Sequence, residues 1–415
     1  MMGRKKWKLS ASLISSFKAC AMRCYYKYVI GVRPIETTDS LRVGTNWHRL
    51  LEIAGMKPGS VCPECAKLGA KNPNCPLCHG TDFLPEDILD AVVAHLGVQY
   101  ATTPLYKTQE EWDIEYNTLL YGLSGYVWRY ADCPYDIIAE ELTFSIPLKS
   151  PISGRSLPNV ETNGKIDKLI RMKDTGFVYV MEHKTTSNSV DENSTFWSHL
   201  NLDTQTTLYI YAARYLQKTG QLEGYGIKPD DPLISGVLYD AFHKPTIKPK
   251  KLTQAESKEF VESGEYMGQQ FNVTEPGSDV PLEEQSIYVD GTSVITTPGK
   301  KEGTFAIRET PDMYGNRLLH DISERPEFYF NRKEVNKTEK DMIAFEQELM
   351  NIYHTLKFLD KSDNWWKNEQ QCEATFKCPY IGICYNNVEV DANNPPPGFK
   401  CIFKGKKDDC KKTTE

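Results

Sequence analysis

Apolar positions near the N-terminus recur at helical spacing. Leu13, Ile14, Phe17, Cys20, Ala21, Cys24 and Tyr28 fall on one stripe, which predicts a helix from Ser10 or Ser12, both good N-caps, to about Val29, with both cysteines facing inward. A second helix is expected after Gly44, carrying Trp47, His48, Leu51 and Glu52, with His48 and Glu52 four apart on one face. Helical spacing returns over 86–100 and 108–131, where the Tyr and Trp residues between 112 and 130 read as core. From Ile137 the period changes to two, and Ile137–Ile146, Gly164–Met172 and Phe177–Lys184 read as strands. The last two are joined by a tight turn at Lys173–Gly176. Asp203–Leu216 reads as helix, Ile234–Phe242 and Phe328–Phe330 as strands, and Lys337–Leu359 as a long helix. No internal repeat is visible.

Two stretches interrupt this order. Residues 56–85 combine Pro, Gly and four cysteines, and 244–325 are rich in Lys, Pro, Gly and Thr. The expected organisation is therefore an N-terminal helical segment (1–55), a small cysteine module (56–85), a core (86–243), an insertion (244–325) and a C-terminal strand, helix and cysteine segment (326–415). Over 415 residues, 40% hydrophobic and 25% charged positions leave ample material for a folded core. No apolar run nears the roughly 20 residues of a membrane span, and the basic start Met1–Lys8 leads into no signal-type apolar stretch, so a soluble cytoplasmic protein is expected. A net charge of −7 rules out a general basic coat, so any polyanion contact must be local. Twelve cysteines in such a chain point to metal rather than disulfides.

The densest chemistry lies in Gly164-Lys-Ile-Asp167 and, across the turn, Val180-Met-Glu182-His-Lys184. Glu182 and Lys184 are two apart on a strand and share a face. With the turn centred between Asp174 and Thr175, Asp167 lies opposite Glu182. Such a set could hold Mg²⁺ or Mn²⁺ through carboxylate oxygens, while the lysine orients a water or neutralises a phosphate oxygen. The same residues on a solvated edge hairpin would be the plain alternative. Gln205 and Tyr209 are four apart at the start of the next helix, and His48 could add an imidazole ligand.

Taken together, these pieces resemble the RecB-type nucleases of the PD-(D/E)xK superfamily, a group that includes the AddB nuclease domain, the CRISPR adaptation nuclease and phage exonucleases. The resemblance rests on Ser12-x-x-x-Ser16-Phe17-x-x-Cys20 followed by Tyr25-Tyr26-x-Tyr28, Gly44-x-x-x-His48, Gly164-x-x-Asp167, Glu182-His-Lys184-Thr185-Thr186, Gln205-x-x-x-Tyr209 and Cys378-Pro-Tyr-x-x-x-Cys384. Ile-Asp stands here for the family's Pro-Asp. The implied fold is α/β: a restriction-endonuclease-like core with a mixed sheet flanked by helices, a zinc-binding insert and an iron–sulfur-type helical cap. The resemblance implies that His48, Asp167, Glu182 and the carbonyl of His183 bind Mg²⁺ or Mn²⁺, with Glu141 a weaker candidate. It implies that Lys184 is catalytic and that Gln205 and Tyr209 shape the wall on the DNA side.

The cysteines form two sets. Cys62-x-x-Cys65 and Cys75-x-x-Cys78 are paired knuckles at the spacing of a tetrahedral Zn²⁺ site, for which a structural role is expected, with Lys67 and Lys71 leaving DNA contact open. The missing H-x-E half of the signature makes a zinc deaminase a poor fit. Cys372, Cys378 and Cys384 are less regular. In the iron–sulfur members of the resembled group, three C-terminal cysteines join one on the first helix around a [4Fe–4S] cluster. That implies Cys20 here, with Cys24, Cys401 or Cys410 as replacements for Cys372, whose spacing departs from the family. A second zinc site or a reduced buried set is the alternative.

Basic runs occur at Arg4–Lys8, Lys244/Lys248/Lys250/Lys251, Arg332–Lys340 and Lys404–Lys412. The second follows a core strand directly and is the candidate DNA contact, one that salt would weaken. The sequence thus points to a metal-dependent DNA exonuclease of phage or bacterial recombination and repair. An endonuclease or flap nuclease with the same site, or a silent DNA-binding subunit, are its rivals. The chain has no G-x-x-x-x-G-K-[ST] phosphate loop, so strand separation would need a helicase or recombinase partner.

Overall fold

Three long strands and three shorter ones alternate or run wholly buried, and together they make one mixed sheet. In the computed structural model, which describes residues 6–36, 38–274, 287–301, 304–374 and 377–403, these are β1 (Trp7–Leu9), β2 (Tyr135–Lys149), β3 (Ser156–Met172), β4 (Val178–Thr186), β5 (Gly236–His243) and β6 (Phe330–Asn336). Their order is β1-β3-β4-β5-β6, with β2 also paired to β3. β1 runs parallel to β3 and β4 to β5, and the other pairs are antiparallel. Every residue of β5 is buried, as expected of a strand covered on both faces.

Among the described residues, the helices around the sheet include α1 (Ala11–Ala19), α2 (Asp39–Ala54), α3 (Gln109–Arg129), α4 (Thr204–Lys218), α5 (Pro311–Glu324) and α6 (Glu339–Ser362). Leu13 of α1, Leu208 and Ala212 of α4, and Leu349 of α6 pack in one core with Ile166, Val180 and Tyr239. A second core gathers Trp47 and Leu51 of α2, Leu119 of α3 and Leu318 of α5 against Phe242 and Phe330. The mixed α/β layering expected from the sequence is therefore present. Within 244–325, a helix at Gln254–Ser263 and short strands enclose a small core around Phe260, Phe271, Val289 and Ile307, while α5 packs on α3. Among the described residues no helix is long and apolar enough to cross a membrane.

Several elements differ from the periodicity. The first helix does not run to Val29: it stops at Ala19, Cys20 is extended at φ −163° and ψ 123°, and the chain resumes as a short turn of helix and a π-helix ending at Ile30. Cys24 stays in the core, but Cys20 turns out of the stripe and is only half-buried. Helix α2 starts at the Thr38 cap, whose side chain accepts from Leu41 N–H, so Gly44 lies inside it. β3 begins well upstream of Gly164, where the hairpin with β2 adds ladder bonds that polar residues such as Glu161 and Asn163 hide from a pattern of apolar alternation. The expected strand at Phe328–Phe330 is a helical turn followed by β6, since Pro326 occupies a first-turn position. β1 is too short for any period to show.

Candidate active site

The site forms where β3 and β4 part. They pair only from Lys168↔Met181 to Arg171↔Val178, and the same register continued places Asp167 opposite Glu182, as the turn position predicts. Beyond the last pair, the His183 backbone N–H donates to Asp167 Oδ2 at 3.1 Å. β2 brings Glu141 across from Asp167, between the pairs Glu140↔Lys168 and Leu142↔Ile166. Glu141 adopts φ +55°, in the left-handed region that costs a non-glycine residue energy, and its carboxylate pairs with Lys165.

Helix α2 crosses this opening. A Cβ on Gly44 would sit 3.2 Å from Thr185 Oγ1 at the end of β4, so the bare backbone lets the helix approach. One turn later His48 Nδ1 lies 3.3 Å from Asp167 Oδ2, and its ring stands edge-on to His183 with centroids 6.2 Å apart. Gly164 is needed for a similar reason, because a Cβ there would meet Phe144 at 2.7 Å and Tyr209 at 3.3 Å.

From the other layer, α4 starts at an Asp203 cap that accepts from Thr206 N–H, which aims Gln205 and Tyr209 at the site. Lys184 Nζ donates to Glu182 Oε1 at 2.8 Å and to Gln205 Oε1 at 2.6 Å. Gln205 Nε2 donates to Glu182 Oε1 at 2.7 Å and to the Tyr209 hydroxyl at 3.0 Å. The amide thus presents oxygen to the ammonium and nitrogen to the carboxylate.

Glu182 is 1% exposed, and its second oxygen, Oε2, is buried with no hydrogen-bond partner. Burial pushes its carboxyl up to about 7, against the pull of Lys184. At Asp167 burial acts in the same sense but loses to the hydrogen bond and charge of His48, which hold it at about 2. His48 is raised in return, despite burial. For Lys184, burial would lower the ammonium, and Glu182 beside it wins and raises it.

An orphaned buried carboxylate oxygen, an ionised Asp167 and the His48 imidazole are hard donors of the kind a divalent cation takes. The residues present therefore fit Mg²⁺ or Mn²⁺. They face a cleft of about 680 Å³ that is also lined by Ser40, Leu41, Lys165 and Thr185.

The basic run after β5 divides. Lys244 Nζ donates to Ser40 Oγ at 2.9 Å on the cleft wall, Lys250 pairs with Glu256 at 3.1 Å, and Lys248 and Lys251 are exposed. Arg332 of the third run is largely withdrawn from the surface, its side chain 12% exposed. It lies behind the site, where its Nε donates to Asp240 Oδ1 at 3.0 Å. Lys404–Lys412, with Cys410, lies outside the described residues.

The insert cysteines Cys62, Cys65, Cys75 and Cys78 are buried, with all four sulfurs within 4.8 Å of one another, and they are the only such donor group among the described residues. Four thiolates so placed fit Zn²⁺ or another thiophilic centre. Their module packs in the same core as Trp47, Leu50 and Leu51 of α2, and Arg49 Nη2 reaches Glu64 at 2.5 Å. Lys67 and Lys71 are exposed.

Away from the cleft, Cys20, Cys372, Cys378 and Cys384 line one cavity of about 90 Å³ together with Arg23 and Lys367. Of the replacement ligands, Cys24 is in the main core and Cys401 faces Ile30 from a strand paired with Val32–Pro34.

Sequence reasoning passed over Asp240, read Tyr126 only as core and read Arg332 only as part of a basic run, yet the three contact His183 or each other from β5, α3 and β6. Only the burial of an Asp inside an otherwise apolar strand signals them. A family model described as the PD-(D/E)XK nuclease superfamily matches residues 8–385 of the chain. No curated protein sequence matches it.

Proposed function

We propose, from the premise that this chain belongs to the PD-(D/E)XK nuclease superfamily, that it is a divalent-metal-dependent exonuclease acting on the ends of DNA. Members of the superfamily are metal-dependent nucleases. The observation that carries the reading for this chain is the unpartnered, buried Oε2 of Glu182 beside an ammonium held by two hydrogen bonds.

In this reading His48, Asp167, Glu182 and the His183 carbonyl hold Mg²⁺ or Mn²⁺. The ion supplies Lewis acidity at the scissile phosphate and lowers the pKa of water. Lys184 stays protonated beside Glu182, so it acts as a fixed positive charge for a non-bridging phosphate oxygen rather than as a base. Gln205 keeps that ammonium in place, and Tyr209 braces Gln205. Lys244, hydrogen-bonded to Ser40 of the cleft wall, contacts the phosphate backbone.

The cysteine cavity supports a [4Fe–4S] cluster on Cys20, Cys372, Cys378 and Cys384. Four cysteines line it, the alternatives Cys24 and Cys401 are engaged elsewhere, and Arg23 and Lys367, also in its lining, would offset the negative charge that such a cluster carries. The insert holds one Zn²⁺ in a structural role. Preference for ends, and a place in phage or bacterial DNA recombination in the cytoplasm beside a helicase or recombinase, rest on the resemblance to RecB-type nucleases.

End-labelled linear DNA and covalently closed circles, single- and double-stranded, incubated with Mg²⁺ or Mn²⁺ test the proposal. Loss of label from linear DNA with circles intact is expected. Cutting of closed circles would make the enzyme an endonuclease with the same site. No cutting of any form would leave a silent DNA-binding subunit.

A further inference from the structure

His183 sits between Glu182 and Lys184, yet alternation along β4 sends its side chain to the opposite face. There its ring Nδ1 meets Asp240 Oδ2 at 2.8 Å, with both residues 2% exposed. Asp240 is the cross-strand neighbour of His183 in the parallel β4–β5 pair and of Arg332 in the antiparallel β5–β6 pair. Arg332 Nε donates to its other oxygen at 3.0 Å, and the Tyr126 hydroxyl of α3 donates to Oδ2 at 2.5 Å. Arg332 also donates to the Tyr126 oxygen at 3.0 Å and lies 3.4 Å above the Tyr130 ring. Three strands and a helix therefore converge on one carboxylate.

A buried carboxylate facing Nδ1 fixes the proton on that nitrogen and the ring in one orientation. What the ring does next matters for the site. The backbone N–H of the same residue holds Asp167 Oδ2, and the ring stands edge-on against His48. Two of the proposed metal ligands thus touch His183, and His183 is held from behind by Asp240.

We propose that Asp240 is a positioning residue of the hydrolytic site: acting through the His183 ring, it sets the backbone that holds Asp167 and the surface against which His48 stands. The proposal rests on the metal-dependent reading above. It assigns a role in that site to a residue that touches neither the cleft nor the proposed ligands other than His183. Partners that orient metal ligands from behind typically carry roughly 10- to 100-fold in metal affinity or activity.

The test uses the full chain with its cysteine-bound metals and follows Mn²⁺ binding by titration and electron paramagnetic resonance. Asp240→Asn keeps the shape and one acceptor but removes the charge. His183→Gln removes the ring while leaving Asp240 paired with Arg332 and Tyr126. Both should weaken Mn²⁺ binding roughly 10- to 100-fold and lower kcat, with KM for DNA unchanged because the cleft wall is untouched. If the two residues act in series, the double variant should be no worse than the poorer single one.

A folded Asp240→Asn protein with wild-type Mn²⁺ affinity overturns the proposal, and so does a double variant whose loss is the product of the single losses. Should Asp240→Asn fail to fold, because Arg332 is left buried without its counter-charge, wild-type affinity in His183→Gln overturns it equally. A wild-type chain that takes up no Mn²⁺ overturns it as well. Weakened Mn²⁺ binding in both variants of a protein that cuts no DNA would instead remove the nuclease reading and leave the positioning role standing.

Discussion

Replacing Glu182 with Gln should stabilise the protein at alkaline pH in the absence of added Mg²⁺ or Mn²⁺, and by an amount set by one proton. Glu182 is almost fully buried, and burial raises its carboxyl from the ordinary 4.5 to about 7. The folded protein therefore binds this proton more tightly than the unfolded chain. Its stabilising contribution is complete below about pH 4.5 and is lost as pH rises through about 7. At ~1.36 kcal/mol per pKa unit, that interval corresponds to about 3 kcal/mol.

Gln mimics the protonated acid and has nothing to lose. The gap between variant and wild type should thus open by ~1.4 kcal/mol per pH unit between about pH 5 and pH 7, and level off near 3 kcal/mol above about pH 8. Asp167 does not disturb the comparison. Its carboxyl is held at about 2, below the ordinary 3.8, so its contribution is present above 3.8 and is lost only at lower pH. Urea unfolding of both proteins across this range, in identical buffers so that zinc and any cluster cancel, measures the gap. A gap that stays constant from pH 5 to pH 8 would refute the argument that Glu182 carries a buried, unpaid charge awaiting a cation. Adding Mn²⁺ should then reverse the order, stabilising only the wild type.

Lys184→Ala should abolish cleavage while Mn²⁺ still binds, because the proposed role gives the ammonium to the phosphate and the carboxylates to the ion; a rate assay beside a Mn²⁺ titration separates the two. Cys62→Ser should lose the insert's zinc, about one ion per chain by elemental analysis, and with it both thermal stability and part of the activity, since the module packs against the helix of His48. Cys378→Ser should turn a brown, anaerobically purified protein colourless, with iron and sulfide lost together. A wild-type preparation that is colourless and contains two zinc ions per chain would make this a second zinc site. The chain ends are also joined by the strands Val32–Pro34 and Phe399–Cys401 and by Tyr380 OH to Val32 O at 2.8 Å, so Cys378→Ser should remain folded with a lowered Tm.

Short-range geometry was legible without any fold. Glu182 and Lys184 share a face because side chains on a strand alternate, and Asp167 falls opposite Glu182 because the turn sets the register. Gln205 and Tyr209 share a face because a helix repeats every 3.6 residues. The paired Cys-x-x-Cys knuckles state their ligands by spacing alone.

The tertiary structure decided everything that depends on residues far apart in sequence. Nothing local distinguishes Arg332 from the surface lysines beside it, yet its burial against Asp240 makes it part of the site's support. Cys20 lies on an apolar stripe that predicts a core position, and only the break after Ala19 turns it toward Cys372, Cys378 and Cys384. Periodicity could not show that the insert packs beneath the His48 helix. The same division holds for the electrostatics. Glu182 and Asp167 are both carboxylates two residues from a basic side chain (Lys184 and Lys165), and only packing makes one rise to about 7 and the other fall to about 2. The cost of a buried charge depends on the solvent excluded and the partners supplied by the whole fold.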